Sequence, residues 1–335
     1  MLANTGLYLG MTSSPAYRIE KKKRCFRFLS VSNPKLLGAA SFLPLRAISG
    51  FAGCWSYLSI NKAYFWLFLF LATASDSPLC NAATFEGPWI QGAMVKGKAA
   101  PGERVFFNGI ELRQSADGNI VFGLGRDAPS PISVLIKQAN GIESTVTFEV
   151  TQRHYDIQRV VGVDQKHVNP PDEVTERILE EARAIGAARK LDAQRTDFLA
   201  RFIWPAKGPL TGFYGSQRFY NNVPKNPHFG IDIAGPVGSA VVAPAPGVVT
   251  FANIDLYYSG GTLIVDHGHG ISSTFIHLSK IEVNVGDRVE QGDLIALIGA
   301  SGRATGPHLD WRVNWFNERL DPQLLFPENA KPALE

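Results

Sequence analysis

The sequence predicts a mainly β protein: a small N-terminal β-sandwich, a helical linker and a C-terminal Gly-rich antiparallel β-domain. Three observations carry that expectation. Short β-rich runs separated by turn dipeptides fill residues 84–152, one later stretch repeats apolar residues at helical spacing, and Gly and Pro punctuate a second set of β-rich runs over residues 203–326. With 335 residues, the chain is long enough for two domains plus appendages, each with its own core.

Residues 1–83 form an N-terminal extension. They hold nine Lys/Arg against Glu20 and Asp76, a net charge of +7, so the overall +3 leaves the remainder at −4. The basic balance belongs to the extension, and the body carries no electrostatic footprint for nucleic acid. Cys25, Cys54 and Cys80 lie in the same stretch, which excludes a disulfide framework or a Cys-ligated zinc site in the body. Residues 62–83, "KAYFWLFLFLATASDSPLCNAA", combine a positive charge, an apolar core of about twelve residues and small residues before Thr84. That order predicts a secretory signal peptide or, if uncleaved, an inner-membrane anchor. The apolar core is shorter than the roughly twenty residues a spanning helix needs. An exported protein of the periplasm or cell envelope is therefore expected. No function is assigned to residues 1–61.

In residues 84–152 the runs "RVFFN", "NIVFGL", "ISVLIKQ" and "STVTFEV" alternate with Asn108-Gly109, Asp117-Gly118 and Asn140-Gly141. This spacing suits a small antiparallel sandwich. No His, Cys or carboxylate cluster occurs there, so the expected role is positioning or binding; His154, just beyond, stands alone. Residues 153–202 form the linker. Asn169 can cap a helix, Pro170 suits its first turn, and Asp172 and Glu173 favour its N-terminal dipole. Val174, Ile178, Ala182 and Ile185 form one apolar stripe, expected to pack on a neighbouring domain, with Gly186 weakening the helix midway.

Residues 203–326, followed by a tail at 327–335, hold five of the seven histidines. In "HFGID", His228 and Asp232 lie four apart, which is same-face in an extended strand. In "TGPHLDWRV", His308 and Asp310 lie two apart on an alternating run, again same-face. His277 follows the alternating "TFIHLS". Nitrogen and carboxylate ligands from separate strands suit Zn²⁺, whose catalytic sites take three protein ligands and keep a fourth position open. Each pair alone also fits a structural His–Asp hydrogen bond. A lipoyl or biotin carrier, suggested by "VVAPAPGVVTFA" and "VNVGDRVEQGDLIALIG", is excluded because no lysine lies between Lys225 and Lys280.

Together, "HFGIDIAGPVGSAVVAPAPGVV", "GGTLIVDHGHGISSTFIHLS", "VGDRVEQGDLIALIGASG" and "TGPHLDWRV" resemble the lysostaphin/LytM-type zinc metallopeptidases of bacterial cell walls. The resemblance implies one zinc per chain, with His228 and Asp232 as the first two ligands. The third is the second histidine of a His-x-His motif in the family, a position held here by Asp310. His277 and His308 would flank the attacking water and stabilise the oxyanion. His267 and His269, in "DHGHG", are expected to be structural. The implied activity is cleavage of peptide bonds in peptidoglycan stem or cross-bridge peptides. The alternative is an inactive relative that binds peptidoglycan or regulates other cell-wall hydrolases.

Asp at position 310 changes the chemistry more than the shape. An Asp Oδ lies as many bonds from Cα as a His Nδ1, so it reaches the same place. Two carboxylates and one imidazole, however, cancel a 2+ charge that the usual set leaves at +1, which makes a poorer Lewis acid. Arg218 falls near where the family places an arginine, with one residue more after Gly215, and Arg312 is expected on the opposite strand face from the site; either could bind a substrate carboxylate, but both are expected to serve in surface ion pairs.

Overall fold

The Asn108-Gly109 dipeptide does what its composition suggests. Both residues take positive φ, 50° and 76°, the conformation a two-residue hairpin loop needs, and they join β3 (Arg104–Phe107) to β4 (Ile110–Glu111). The computed structural model describes residues 82–161 and 171–334. The signal or anchor segment apart from its last two residues, the three cysteines, and the Asn169 and Pro170 cap lie outside these residues, as does the Arg218 side chain. Among the described residues no helix is long and apolar enough to cross a membrane.

Two small sheets build the N-terminal part. β1 (Thr84–Glu86), β2 (Met94–Lys98) and β5 (Asn119–Gly123) form one; β4, β3, β6 (Ile132–Lys137) and β7 (Glu143–Phe148) form the other. Phe107 of one sheet meets Phe122 of the other at 4.5 Å between ring centroids. Val105, Phe107, Ile120, Phe122 and Val134 are all buried between them. β3 and β6 alternate in burial, so one face of their sheet is apolar, whereas four successive residues of β5 are buried.

β8 (Ile157–Val160) then runs parallel to β10 (Gln217–Tyr220), which pairs with β11 (Val223–Pro224). Between them lie a 3₁₀ turn at Asp172–Val174 and the helix α1 (Thr175–Arg189). The helix is shorter than the expected linker, and none of its residues is buried. Val174, Ile178 and Ile185 are half-buried and Ala182 is exposed, so the apolar stripe touches its neighbour only along an edge. Polar contacts hold it instead. Arg177 pairs with Glu181 at 2.7 Å and donates to the Asp255 carbonyl at 2.8 Å, while Glu181 accepts from the Tyr257 amide at 2.9 Å.

The remaining strands form one ten-stranded sheet: β9 (Leu210–Gly212), β12 (Ile231–Ala234), β13 (Ala240–Val242), β14 (Gly247–Leu256), β15 (Gly260–Gly268), β16 (Ile271–Ile281), β17 (Arg288–Val289), β18 (Leu294–Ile298), β19 (His308–Trp315) and β20 (Glu318–Leu320). Its main path runs β17-β14-β15-β16-β19-β12-β9, all antiparallel. Every residue of β15 and the first eight of β16 are buried, as expected for strands covered on both faces.

The N-terminal sheets and the large sheet share one core. Phe107 lies 6.0 Å from Trp315 of β19. A Cβ on Gly123 would sit 2.7 Å from Leu320 Cδ2 and 2.9 Å from Trp315 Cβ, so glycine permits the close approach there. Arg153 pairs with the buried Asp321 at 2.7 Å.

Candidate metal centre and active site

β12 and β19 place Asp232 directly opposite Asp310. Two carboxylates so opposed, only 9% and 2% exposed, repel unless a cation stands near them. His228 precedes β12 instead of lying on it, and its backbone is fixed by hydrogen bonds with Gly215 and Ser216. Its Nε2 reaches within 3.1 Å of Asp232 Oδ1, while its Nδ1 is 3.9 Å from Asp310 Oδ2. One ligand atom each from His228, Asp232 and Asp310 lies within 4.8 Å of the others, the one such group among the described residues.

Two glycines make room. A Cβ on Gly212, paired with Asp232 across β9 and β12, would overlap the Asp232 carboxylate; one on Gly230 would overlap Asp310 Oδ1 and the Arg312 stem.

His277 and His308 stand beside this cluster, with ring centroids 4.8 Å apart. His277 Nδ1 is 2.8 Å from the Ser301 carbonyl, and His308 Nδ1 is 2.8 Å from the Gly306 carbonyl. A carbonyl accepts only, so both Nδ1 atoms carry a proton, and in this tautomer Nε2 is the ring nitrogen with the lone pair. His308 Nε2 lies 3.8 Å from Asp232 Oδ1. His277 takes φ 66°, a left-handed conformation costly for a non-glycine residue. It is tolerated where the His277 amide bonds the Ser259 carbonyl at 2.9 Å. Burial lowers the His277 pKa, against the opposing pull of Asp310, which keeps the ring neutral at neutral pH.

Arg312 does not lie where it was expected. Positions 310 and 312 share a strand face by the same alternation that pairs 308 with 310. Arg312 forks Asp310, with Nε to Oδ1 at 2.9 Å and Nη2 to Oδ2 at 2.6 Å. Burial by itself would raise the Asp310 pKa, but Arg312, with His228, outweighs it and holds the carboxyl well below its usual range.

The donor set fits zinc. His228 Nε2 is a buried ring nitrogen without a hydrogen-bond partner, and each Asp310 oxygen retains a lone pair beyond its arginine bond. Counting charge, a 2+ ion, two carboxylates and the Arg312 guanidinium sum to +1. That is the value of the His-Asp-His set, so Arg312 returns the charge that Asp310 removes.

His267 and His269 lie away from the site. His267 is fully buried, with Nδ1 2.6 Å from the Pro246 carbonyl and Nε2 2.9 Å from Ser273 Oγ; His269 packs on Phe198. His154 is exposed.

This arrangement, two carboxylates on adjacent antiparallel strands with one histidine just before the first and two further imidazoles beside them, has the donor types of a metallopeptidase-type centre. Residues 226–322 match peptidase family M23. A peptidase M23 structure from Pseudomonas aeruginosa is 29% identical with a TM-score of 0.55, covering 70% of this chain and 94% of that one. Among relatives, an uncharacterised metalloprotease of Buchnera aphidicola is 32% identical over 132 residues, 39% of this chain and 34% of the relative. Peptidoglycan DD-endopeptidase ShyA of Vibrio cholerae is 39% identical over 87 residues, 26% of this chain and 20% of the relative. The matched segments thus span about a third or less of these curated relatives.

Proposed function

We propose that the protein is an exported, zinc-dependent endopeptidase that hydrolyses peptide bonds in peptidoglycan stem or cross-bridge peptides. The observation that carries this reading is the His228–Asp232–Asp310 donor cluster with two Nε2 lone pairs beside it. The peptidoglycan substrate is supported by relatives such as ShyA, named as a peptidoglycan DD-endopeptidase. Zinc held by the three ligands would supply Lewis-acid polarisation of the scissile carbonyl and the attacking water. His277 Nε2, neutral through burial, takes a proton from the water and returns it to the departing amine. In its protonated form it donates to the developing oxyanion, which His308 flanks. The Ser301 and Gly306 carbonyls hold both rings in the required tautomer.

One observation favours the second reading, a peptidoglycan-binding regulator without activity: both Asp310 oxygens already accept bonds from Arg312. Zinc content and cleavage of cross-linked peptidoglycan, measured for wild type and Asp310→Ala, decide between them. The peptidase reading expects one zinc per chain and cleavage abolished in the variant. Wild type with neither zinc nor cleavage would establish the regulator.

A further inference from the structure

Two arginines share the sheet face that carries the candidate metal centre, and a third lies near them. Asp310, Arg312 and Asn314 alternate onto one side of β19. Across the register, Ser272 of β16 and Arg319 of β20 both stand opposite Asn314. Opposed residues of antiparallel strands point to the same face, so Ser272, Arg312, Asn314 and Arg319 border one patch beside Asp310. Arg189, the last residue of α1, lies within electrostatic range of both Arg312 and Arg319.

The patch has more guanidinium than carboxylate. Arg312 is matched by Asp310. Arg319 Nη1 donates to Asn314 Oδ1 at 2.6 Å, but neither Arg319 nor Arg189 has an ion pair among the described residues. Arg189 Nε and Ser272 Oγ are buried with no hydrogen-bond partner, and Ser272 is only 2% exposed. Burial first, and then the neighbouring guanidinium groups, hold Arg189 down to about 10 and Arg319 to about 9; both stay charged at neutral pH. Both residues are half-buried, and an orphaned donor atom shut off from water, as Arg189 Nε is, is costly without an anionic partner.

We propose that Arg189 and Arg319, with Ser272 on the floor, form a subsite that takes a carboxylate of the peptide substrate. The planar guanidinium fork matches a carboxylate in shape and charge. Positions 312 to 314 lie two to four residues along β19 from Asp310, about 7–14 Å. A peptide residue spans roughly 3.5 Å, so the recognised carboxylate belongs two to four residues from the scissile bond. This inference rests on the peptidase reading for its substrate class. It also gives α1 a part in binding that no cluster on the helix itself announces.

The test is calorimetric binding of an N-acetylated pentapeptide acid and its C-terminal amide to the metal-free full chain, where turnover does not intervene. The acid is expected to bind at least about tenfold tighter, with the preference falling below about twofold in Arg189→Gln and in Arg319→Met. If Arg319→Met fails to fold, judged by its melting curve, Arg189→Gln at the helix end carries the comparison. Equal binding of acid and amide to wild type, or a preference that survives Arg189→Gln, overturns the subsite. Acid preference in a protein that hydrolyses nothing would sink the peptidase reading alone. Hydrolysis without acid preference would sink the subsite alone.

Discussion

The strand β16 and its hairpin partner carry histidines at opposite ends, and the two ends have opposite fates. At one end both nitrogens of His267 are engaged, by the Pro246 carbonyl and the Ser273 hydroxyl, in a fully buried pocket. At the other, His277 and its neighbour His308 each anchor Nδ1 on a carbonyl, and His308 Nε2 lies 3.8 Å from Asp232 Oδ1. Residue type, strand and degree of burial are similar. What separates the structural imidazole from the ones proposed to be reactive is whether the second nitrogen has been used.

Removing the reactive ring puts that contrast under the greatest strain. His277→Ala is expected to lower kcat for peptide cleavage by about 10²–10⁴-fold, far more than any shift of its urea midpoint explains. His267→Ala should do the reverse: a loss of about 2–3 kcal/mol in urea unfolding and near-normal kcat in the folded fraction. Equal kinetic damage from both variants would erase the distinction.

Titration separates the two rings further. Burial holds the His267 pKa down to about 4, from 6.5, so between these values the unfolded chain binds the proton and the folded one does not. The stability due to the neutral ring is therefore complete above pH 6.5 and lost as pH falls toward 4. The loss is on the order of 3 kcal/mol. Urea midpoints across this window should flatten in His267→Gln, which starts less stable at pH 7 but has nothing to protonate.

A smaller effect is expected where the backbone only makes room. Gly212→Ala places a methyl on the Asp232 carboxylate and should weaken zinc binding about tenfold, as disturbing the support of a metal ligand does, measured by chelator competition. Wild-type affinity in that variant would show that β9 can yield. The smallest effect belongs to α1: Arg177→Ala should cost about 0–1 kcal/mol in urea unfolding, because Arg177 is largely exposed and its pairs are screened.

Much of the site is legible in the sequence. Alternation puts His308 with Asp310, linked motifs place His228, Asp232 and His277 in one family pattern, and Asn108-Gly109 announces its hairpin. The Arg312 fork follows from the same alternation, yet a lone arginine on such a run reads equally well as a surface residue. Arg189 and Arg319 carry no local signal. They belong to different elements, and nothing nearby in the chain marks an arginine that will lack a carboxylate. The α1 stripe misleads in the other direction, since its apolar spacing is real but the helix is held mainly by Arg177 and Glu181.

Turns, strand faces and the choice of ligand types are written in the chain itself, because they follow from φ preferences and a period of two that act over a few residues. Folding alone settles that Asp232 and Asp310 stand opposite each other, that His267 has both nitrogens engaged, and that Arg312 and Arg319 come to one sheet face. Each of these depends on register and burial between segments far apart in the chain, where long-range pairing sets which polar atoms find partners.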